Sequence, residues 1–229
     1  PLEGLRRDNG ALPVNLDLFA DYKEEYKKAL HTETLSLEGI AGGGIWTVQS
    51  GDESIATATL SVNESDRKTL SITALAEGST TVTVTYQLGD DTYPLDIDVN
   101  VTAELRLAVT HSPVTVFTNE TVQTQLVLKN NRDEALVPSL ESQISLDSFQ
   151  VERDPDYFTS ASVSKDPLTL TAESKTTTGN TQMTVSYRFT YLGHTYQTTS
   201  SIALRLVEPE IELTPVSFSF PPDNPNAQT

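Results

Sequence analysis

The sequence predicts an all-β protein built from two tandem β-sandwich domains. Apolar and polar residues alternate with a period of two along most of the chain, and turn-forming residues separate the alternating stretches. The pattern begins again near residue 104, and 229 residues suit two ordinary domains. Strands with one apolar face must bury that face against a second sheet, so the pattern predicts sandwiches.

The alternation is clearest around Trp46, the single tryptophan. Short strands are predicted on both sides of a polar turn at residues 50–54, followed by a hairpin whose second strand alternates strictly. Small alanines opposite a large indole are typical of two interdigitating sheets. We therefore predict a core that contains Trp46, Val48, Ala56, Val82 and Val84.

The segments IWTVQSGDESIATA and TLSITALAEGSTTVTVTY resemble the bacterial immunoglobulin-like group 2 (BIG2) domain over about residues 35–102. The matching residues are Trp46, Ile55-Ala56-Thr57, Ala74-Leu75, Gly78, Val82 and Val84. The resemblance implies an immunoglobulin-like sandwich of the kind found in secreted, cell-surface and phage-particle proteins. It brings no catalytic residues with it.

The first domain is predicted to span residues 11–103, after an N-terminal arm at residues 1–10. A first strand is expected at Val14, Leu16 and Leu18, which alternate with polar residues. Residues 21–30 then change period, because Tyr22, Tyr26 and Ala29 fall on one helical face. The sequence therefore predicts a short helix near the N-terminus.

A weak repeat of about 100 residues predicts a second immunoglobulin-like sandwich over residues 104–208. Its C-terminal half parallels that of the first domain but has a longer hairpin. The second half contains neither a tryptophan nor the Ile-Ala-Thr strand. Residues 132–143 and 153–158 are the loops expected to depart most from a plain sandwich.

Residues 209–229 contain an additional alternating segment followed by a proline-rich linker. Its apolar positions predict an extra C-terminal strand: Ile211, Leu213, Val216, Phe218 and Phe220. Such a strand would either open a third domain or pair with a neighbouring copy by strand addition. The chain begins with Pro1, so we expect a processed product or a piece of a longer protein.

Four carboxylates are candidate calcium ligands, because hard cations prefer several oxygen ligands. They are Asp90, Asp91, Asp96 and Asp98. A solvated outer face is the favoured interpretation, so neither a metal nor another cofactor is predicted. Asn-x-Ser/Thr triplets occur at Asn63, Asn100 and Asn119 and would accept glycans only in a glycosylating host.

The predicted hairpin at residues 187–196 concentrates aromatic side chains. Tyr187, Tyr191, His194 and Tyr196 would together form a platform for a sugar ring or a receptor. Aromatic residues at alternate strand positions more often belong to a core or to cross-strand pairs. Both interpretations remain open at the level of sequence.

Composition excludes several classes of partner and reaction. A net charge of −17 and a pI near 4.4 argue against binding to nucleic acid or to an anionic membrane. There is no cysteine, and no apolar run approaches the ~20 residues of a membrane span. No HExxH, GxSxG or Walker motif occurs, so we do not expect an enzyme.

Three hypotheses of function follow. The first is a structural or adhesive module of an extracellular or cell-surface protein, acting as a spacer, stalk or filament subunit through protein contacts that include copies of itself. The second is a carbohydrate- or receptor-binding module that uses the hairpin at residues 187–196. The third is a component of a phage particle, which would place the chain in a virion.

Overall fold

The computed structural model describes residues 3–62 and 66–211 and confirms the all-β prediction. Two β-sandwiches follow one another along the chain, each formed by a pair of four- or five-stranded sheets. The predicted C-terminal strand, with Leu213, Val216, Phe218 and Phe220, lies outside the described residues, as does Asn63. Ile211 is described, is 81% exposed and belongs to no strand.

The first sandwich contains the strands up to residue 102. They are β1 (Gly4–Arg7), β2 (Val14–Asp17), β3 (Tyr22–Lys23), β4 (Lys28–Glu38), β5 (Ile45–Ser50), β6 (Ala56–Leu60), β7 (Arg67–Ala74), β8 (Gly78–Leu88) and β9 (Asp91–Thr102). One sheet has the order β1-β4-β7-β6, with β3 beside β4. The other has the order β2-β9-β8-β5.

The second sandwich repeats this arrangement. Its elements are β10 (Arg106–Val109), β11 (Val114–Phe117), β12 (Thr121–Lys129), α1 (Pro138–Glu141), β13 (Ser145–Glu152), β14 (Phe158–Lys165), β15 (Leu168–Ser174), β16 (Gly179–Tyr191) and β17 (His194–Val207). The sheets have the orders β10-β12-β15-β14 and β11-β17-β16-β13. These orders match those of the first sandwich, including a parallel pairing of an early short strand with the last strand.

The predicted N-terminal helix is wrong. Residues 21–30 form a hairpin in which Tyr22 pairs with Ala29, and Lys27 adopts a positive φ of 55° at the turn. Ten residues cannot sustain a helix without tertiary packing. The alternation that begins at Ala29 continues to Glu38 and pairs with β7 over eight residues, which favours the extended strand.

The predicted N-terminal arm is also wrong, because its residues 4–7 form strand β1 against β4. Arg7 anchors this strand from the inside of the sandwich. Its guanidinium donates to both carboxylate oxygens of Glu33 at 2.8 and 2.9 Å, and to the Leu12 carbonyl at 2.7 Å. Burial raises the pKa of Glu33, but the hydrogen bonds from His31 and Arg7 outweigh that effect and lower it.

In the first sandwich Tyr86 is buried more completely than Trp46. Tyr86, Ala56, Val82 and Val84 are fully buried. Trp46 and Val48 are half-buried, because they lie on the edge strand β5, but both pack against the core. The Trp46 ring lies 5.2 Å from that of Tyr86, between ring centroids.

The second sandwich reproduces this pair with different residues. Phe149 stacks on the fully buried Tyr187 with ring centroids 5.9 Å apart. Phe149 and Tyr187 lie on β13 and β16, the counterparts of β5 and β8. Phenylalanine thus takes the place of the tryptophan that the second half lacks.

The loop at residues 153–158, expected to depart from a plain sandwich, is instead a repeated turn. In the first domain the Asp52 carbonyl accepts from the amides of Ile55 and Ala56. In the second domain the Asp154 carbonyl accepts from the amides of Tyr157 and Phe158. Each aspartate side chain also accepts from the amide two residues later. The two turns share a backbone although their sequences differ.

Gly78 starts β8 with a φ of +149°, and Gly179 starts β16 with a φ of +139°. A Cβ at Gly78 would lie 2.7 Å from the Ile55 Cδ1, and one at Gly179 would lie 2.9 Å from the Tyr157 hydroxyl. Equivalent residues of the repeated turn, Ile55 in the first sandwich and Tyr157 in the second, therefore pack against this glycine. Only glycine combines this φ with so close an approach.

We predict that Gly78→Ala destabilises the first sandwich by about 1–3 kcal/mol, because it adds backbone strain and forces Ile55 to move. Trp46 fluorescence during urea unfolding reports on this sandwich, since the chain has one tryptophan. Gly4→Ala is the control, because a Cβ there meets nothing within 4 Å. Equal unfolding midpoints for the two variants would contradict this assignment.

Candidate functional site: the junction between the sandwiches

The two sandwiches are joined by Ala103, Glu104 and Leu105, the residues between β9 and β10. The buried carboxylate of Asp17 holds this linker in place. One of its oxygens accepts from the amides of Phe19 and Ala20 at 2.9 and 3.0 Å. The other accepts from the Thr102 hydroxyl at 2.9 Å and from the Glu104 amide at 3.1 Å. A single side chain therefore connects the loop after β2 to the linker.

Phe19 is the apolar centre of the contact between the two domains and is 2% exposed. Its ring meets Phe189 and Tyr191 of the second sandwich edge-on, at centroid distances of 5.7 and 5.3 Å. Edge-to-face pairs at these distances are favourable beyond the area that they bury. Phe19 thus fills a pocket on the neighbouring domain.

The β16–β17 hairpin provides that pocket because it is longer than its counterpart in the first domain. When Gly179 is matched with Gly78, β16 extends two residues beyond the equivalent end of β8. The extension carries Tyr191. Just before it, Tyr196 stacks on Phe189 with centroids 5.0 Å apart, at the positions of Asp91 and Leu88 in the first domain.

The structure does not support the predicted aromatic platform at residues 187–196. Tyr187 is 0% and Tyr191 is 1% exposed, and Tyr196 is half-buried at the junction, where its hydroxyl accepts from the Glu77 amide. His194 is exposed at the hairpin turn. Tyr187 lies in the core of the second sandwich, and Tyr191 and Tyr196 contact the first sandwich, so these rings present no joint surface for a sugar or a receptor.

Polar contacts surround the aromatic centre. Arg132 donates to the Ala20 carbonyl and to the Asp21 carboxylate, both at 2.9 Å, and Asn130 donates to the Phe19 carbonyl at 3.4 Å. The hydrogen bond and the charge of Asp21 raise the pKa of Arg132, which therefore keeps its charge.

The predicted irregular loop at residues 132–143 takes part in the same contact through α1. The side-chain amide of Gln143, just after α1, donates to the Tyr22 hydroxyl at 3.1 Å. That hydroxyl lies 3.4 Å from the hydroxyl of Ser139, which belongs to α1. The hairpin that was predicted as a helix therefore touches the second domain.

Burial is the main cause of the shifted pKa values of the junction tyrosines. It raises the pKa of Tyr187 and of Tyr191 to about 12 each, and it also raises the pKa of Tyr196. The Tyr187 hydroxyl donates to the Leu105 carbonyl of the linker at 3.1 Å. These phenols are neutral at physiological pH: Tyr187 and Tyr196 form hydrogen bonds, whereas the buried Tyr191 hydroxyl has no hydrogen-bond partner among the described residues.

The structure does not assemble the candidate calcium site. Asp96 and Asp98 lie on β9 and accept from the hydroxyls of Thr83 and Thr81 on the neighbouring strand. Asp90 and Asp91 lie at the β8–β9 turn. Residues 3–62 and 66–211 contain no group of three or more metal-ligating side chains.

Asn100 and Asn119, two of the predicted glycan acceptors, lie in different settings. Asn100 is half-buried and hydrogen-bonded to Asn15 and Ser79. Asn119 is exposed at a turn, with a φ of 57°. None of the helices in the described part of the chain is long and apolar enough to cross a membrane.

Sequence reasoning missed the residues that form the junction, namely Asp17, Phe19, Asn130 and Arg132. One signal was present. Leu18 and Phe19 are adjacent large apolar residues at the end of an alternating strand, and both are buried. A strand with one wet face would expose one of them, so the break in period indicates a second burying partner.

No protein-family model matches the chain, and no curated protein matches it. Similar solved structures include domains 5-6 of the S-layer protein SbsC, with 17% identity and a TM-score of 0.35 over 92% of this chain and 100% of that one. A structure of the surface layer protein SbsC, domains 4-9, shows 16% identity and a TM-score of 0.35, and the match covers 90% of this chain but 32% of that one.

Titin domains z1z2 in complex with telethonin show 10% identity and a TM-score of 0.38, over 92% of this chain and 100% of that one. The strand orders of the two sandwiches are those of an immunoglobulin-like arrangement.

We predict that Phe19→Ala lowers the stability of the protein by about 3–5 kcal/mol, because it empties the pocket between Phe189 and Tyr191. Phe117→Ala is the matched control, since Phe117 is 45% exposed and its loss should change stability by less than about 0.5 kcal/mol. Urea unfolding followed by circular dichroism measures both. Similar effects of the two substitutions would show that Phe19 does not hold the domains together.

The raised tyrosine pKa values predict a loss of stability in alkali. Below pH 10 these phenols are neutral in both the folded and the unfolded state, and their contribution is fully present. Between about pH 10 and 12 the unfolded chain ionises first, so stability falls, by about 2–3 kcal/mol for each residue.

Unfolding midpoints measured across this pH range, together with phenolate absorbance, test this prediction. Tyr191→Phe should remove part of the alkaline loss and leave the midpoint at neutral pH nearly unchanged. Phenolate absorbance that rises fully near pH 10 without unfolding would contradict it.

Proposed function

We propose that this chain is a non-enzymatic structural module of an extracellular or cell-surface protein, in which two immunoglobulin-like sandwiches act as one stiff spacer, stalk or filament subunit. The first sandwich is proposed to be a BIG2-type domain. Its partners would be other proteins, including copies of itself. The observation that carries the proposal is the interlocked junction.

The junction differs from an ordinary interdomain linker. Domains in one chain usually move relative to one another unless their interface is large and hydrophobic. Here a three-residue linker leaves little slack, and the buried Asp17 carboxylate fixes its course. Phe19 then locks the orientation by inserting between two aromatic rings of the next domain.

The chemistry of the interior supports the same proposal. The aromatic residues that were candidates for ligand binding stabilise the contact between the domains. Several exposed strand positions pair hydroxyls with one another or with carboxylates across the sheet, as Ser186 does with Thr199 and Thr83 does with Asp96. Such surfaces keep an extended module soluble and contribute little to chemistry.

The proposal predicts a single distance between the two domains in solution. Because the chain has no cysteine, Thr59→Cys and Ser162→Cys introduce spin labels at exposed positions of the first and second sandwich. Pulsed electron paramagnetic resonance should give one narrow distance distribution. Adding Phe19→Ala and Arg132→Ala should broaden it, whereas adding Phe117→Ala should not.

A broad distribution in the unaltered chain would overturn the proposal of a stiff module. A narrow distribution that survives Phe19→Ala and Arg132→Ala would show that stiffness arises elsewhere than at this junction.

A further inference from the structure

Within the part of the chain that the structure describes, the last strand of the second sandwich has a long unpaired edge. Strand β17 pairs with β16 from His194 to Leu206, and on its other side β11 is the one strand of the described residues that pairs with it, from Leu204 to Val207. Residues 195–198 line a cavity at the junction and residues 199–203 line a neighbouring cavity beside β10; the two share Arg106 and together form the groove along this edge. At ~3.3 Å per residue this edge is about 30 Å long, enough for one extended strand.

The equivalent edge in the first sandwich is protected and this one is not. When the two sandwiches are aligned so that Val101 corresponds to Leu206, Pro94 corresponds to Thr199 and Asp96 corresponds to Ser201. Proline and charged side chains on an edge strand are common ways of preventing pairing with another chain. Strand β9 thus carries two such devices, together with Asp98, where β17 carries uncharged residues.

The first sandwich also shows which backbone groups of β17 face the groove. Pro94 has no N–H, yet β9 keeps its full register with β8, so the backbone at position 94 faces away from β8. Backbone groups point to the same side at every second residue of a strand. By equivalence, the N–H and C=O groups of Gln197, Thr199 and Ser201 face the open edge.

The edges at β13 and β14 are less regular than the edge of β17. The β13 edge is interrupted by a register shift between Asp147 and Gln150, and the β14 edge by one between Phe158 and Ser160. Strand β17 runs against β16 for thirteen pairs without a shift.

The groove selects for an alternating segment. Its inner wall includes the buried apolar side chains of Leu107 and Ile202. The Leu107 amide of β10 donates to the Ser200 hydroxyl at 2.9 Å. This amide therefore bonds to a side chain of β17 and not to the backbone of its edge. On the outer face, Thr199 and Ser201 are exposed. An added strand would therefore place apolar side chains inward and small polar ones outward.

We infer that the open edge of β17 accepts residues 211–220 of a second copy of this chain by strand addition. This inference rests on the proposed function and specifies the edge through which copies of the module join. The sequence of the segment, IELTPVSFSF, follows directly after the second sandwich, is ten residues long, and alternates Val216, Phe218 and Phe220 with serines. Its length and alternation match the groove, and the main-chain hydrogen bonds would supply affinity.

Full-length variants test this inference by complementation. The acceptor variant, Thr199→Pro with Ser201→Asp, copies the protection of β9 into β17. The donor variant is Phe218→Asp. The control is Gln182→Asp, an exposed position on the central strand β16 of the same sheet. Light scattering over a concentration series measures the mass of each species and of mixtures.

We expect the unaltered chain and Gln182→Asp to assemble into chains whose mass grows with concentration. The acceptor and donor variants should each be monomeric. An equimolar mixture of the two should stop at dimers, because it contains one competent donor and one competent edge per pair.

Three outcomes would overturn the inference: a monomeric unaltered chain, assembly that the acceptor variant does not reduce, or assembly that Phe218→Asp does not reduce. Circular dichroism of each variant verifies that loss of assembly is not loss of fold. The spin-label distance reports on the junction independently, so a narrow distribution in a monomeric chain would preserve the stiff module and reject only the joining edge.

Discussion

The relative position of the two sandwiches depends on one buried carboxylate. Asp17 accepts hydrogen bonds from Phe19, Ala20, Thr102 and Glu104, so its charge is satisfied by donors from the loop, the last strand and the linker. A buried charge is tolerated only when donors of this kind surround it. The same bonds fix the backbone that presents Phe19 to the second domain. Electrostatic satisfaction and aromatic packing at the junction therefore depend on each other.

Alternation in the sequence predicted strands correctly where one face of the strand is exposed to solvent. It gave wrong predictions where a side chain contacts the other domain. Alternation located Val82 and Val84, which are buried. The helical spacing of Tyr22 and Tyr26 led to the prediction of a helix, but this segment is a hairpin. Tyr22 is half-buried because its hydroxyl meets Ser139 and Gln143 of the next sandwich, whereas Tyr26 is 53% exposed at a turn. No period within ten residues encodes a partner more than a hundred residues away.

The repeat was stronger in the backbone than in the sequence. The turns at Asp52 and Asp154 share their hydrogen bonds, yet Ile55-Ala56 in one corresponds to Tyr157-Phe158 in the other. The aspartate of the turn and the glycine that packs against it, Gly78 or Gly179, are constrained by geometry. The aspartate must cap the turn, and the glycine must adopt a positive φ. The apolar residues of the turn need only fill the space between them, and different side chains can fill it equally well. Sequence comparison of the two halves therefore underestimates their likeness.

Two departures from the repeat carry the distinctive properties of the chain. The β16–β17 hairpin is longer than the β8–β9 hairpin and meets the first domain with Phe189, Tyr191 and Tyr196. Strand β17 lacks the proline and the aspartates that β9 carries at matching positions. Interior positions accept only side chains that keep the packed volume filled. The hairpin tip and the strand edge are free of that constraint, so the parts of the repeat that differ are the parts that make contacts beyond their own sandwich.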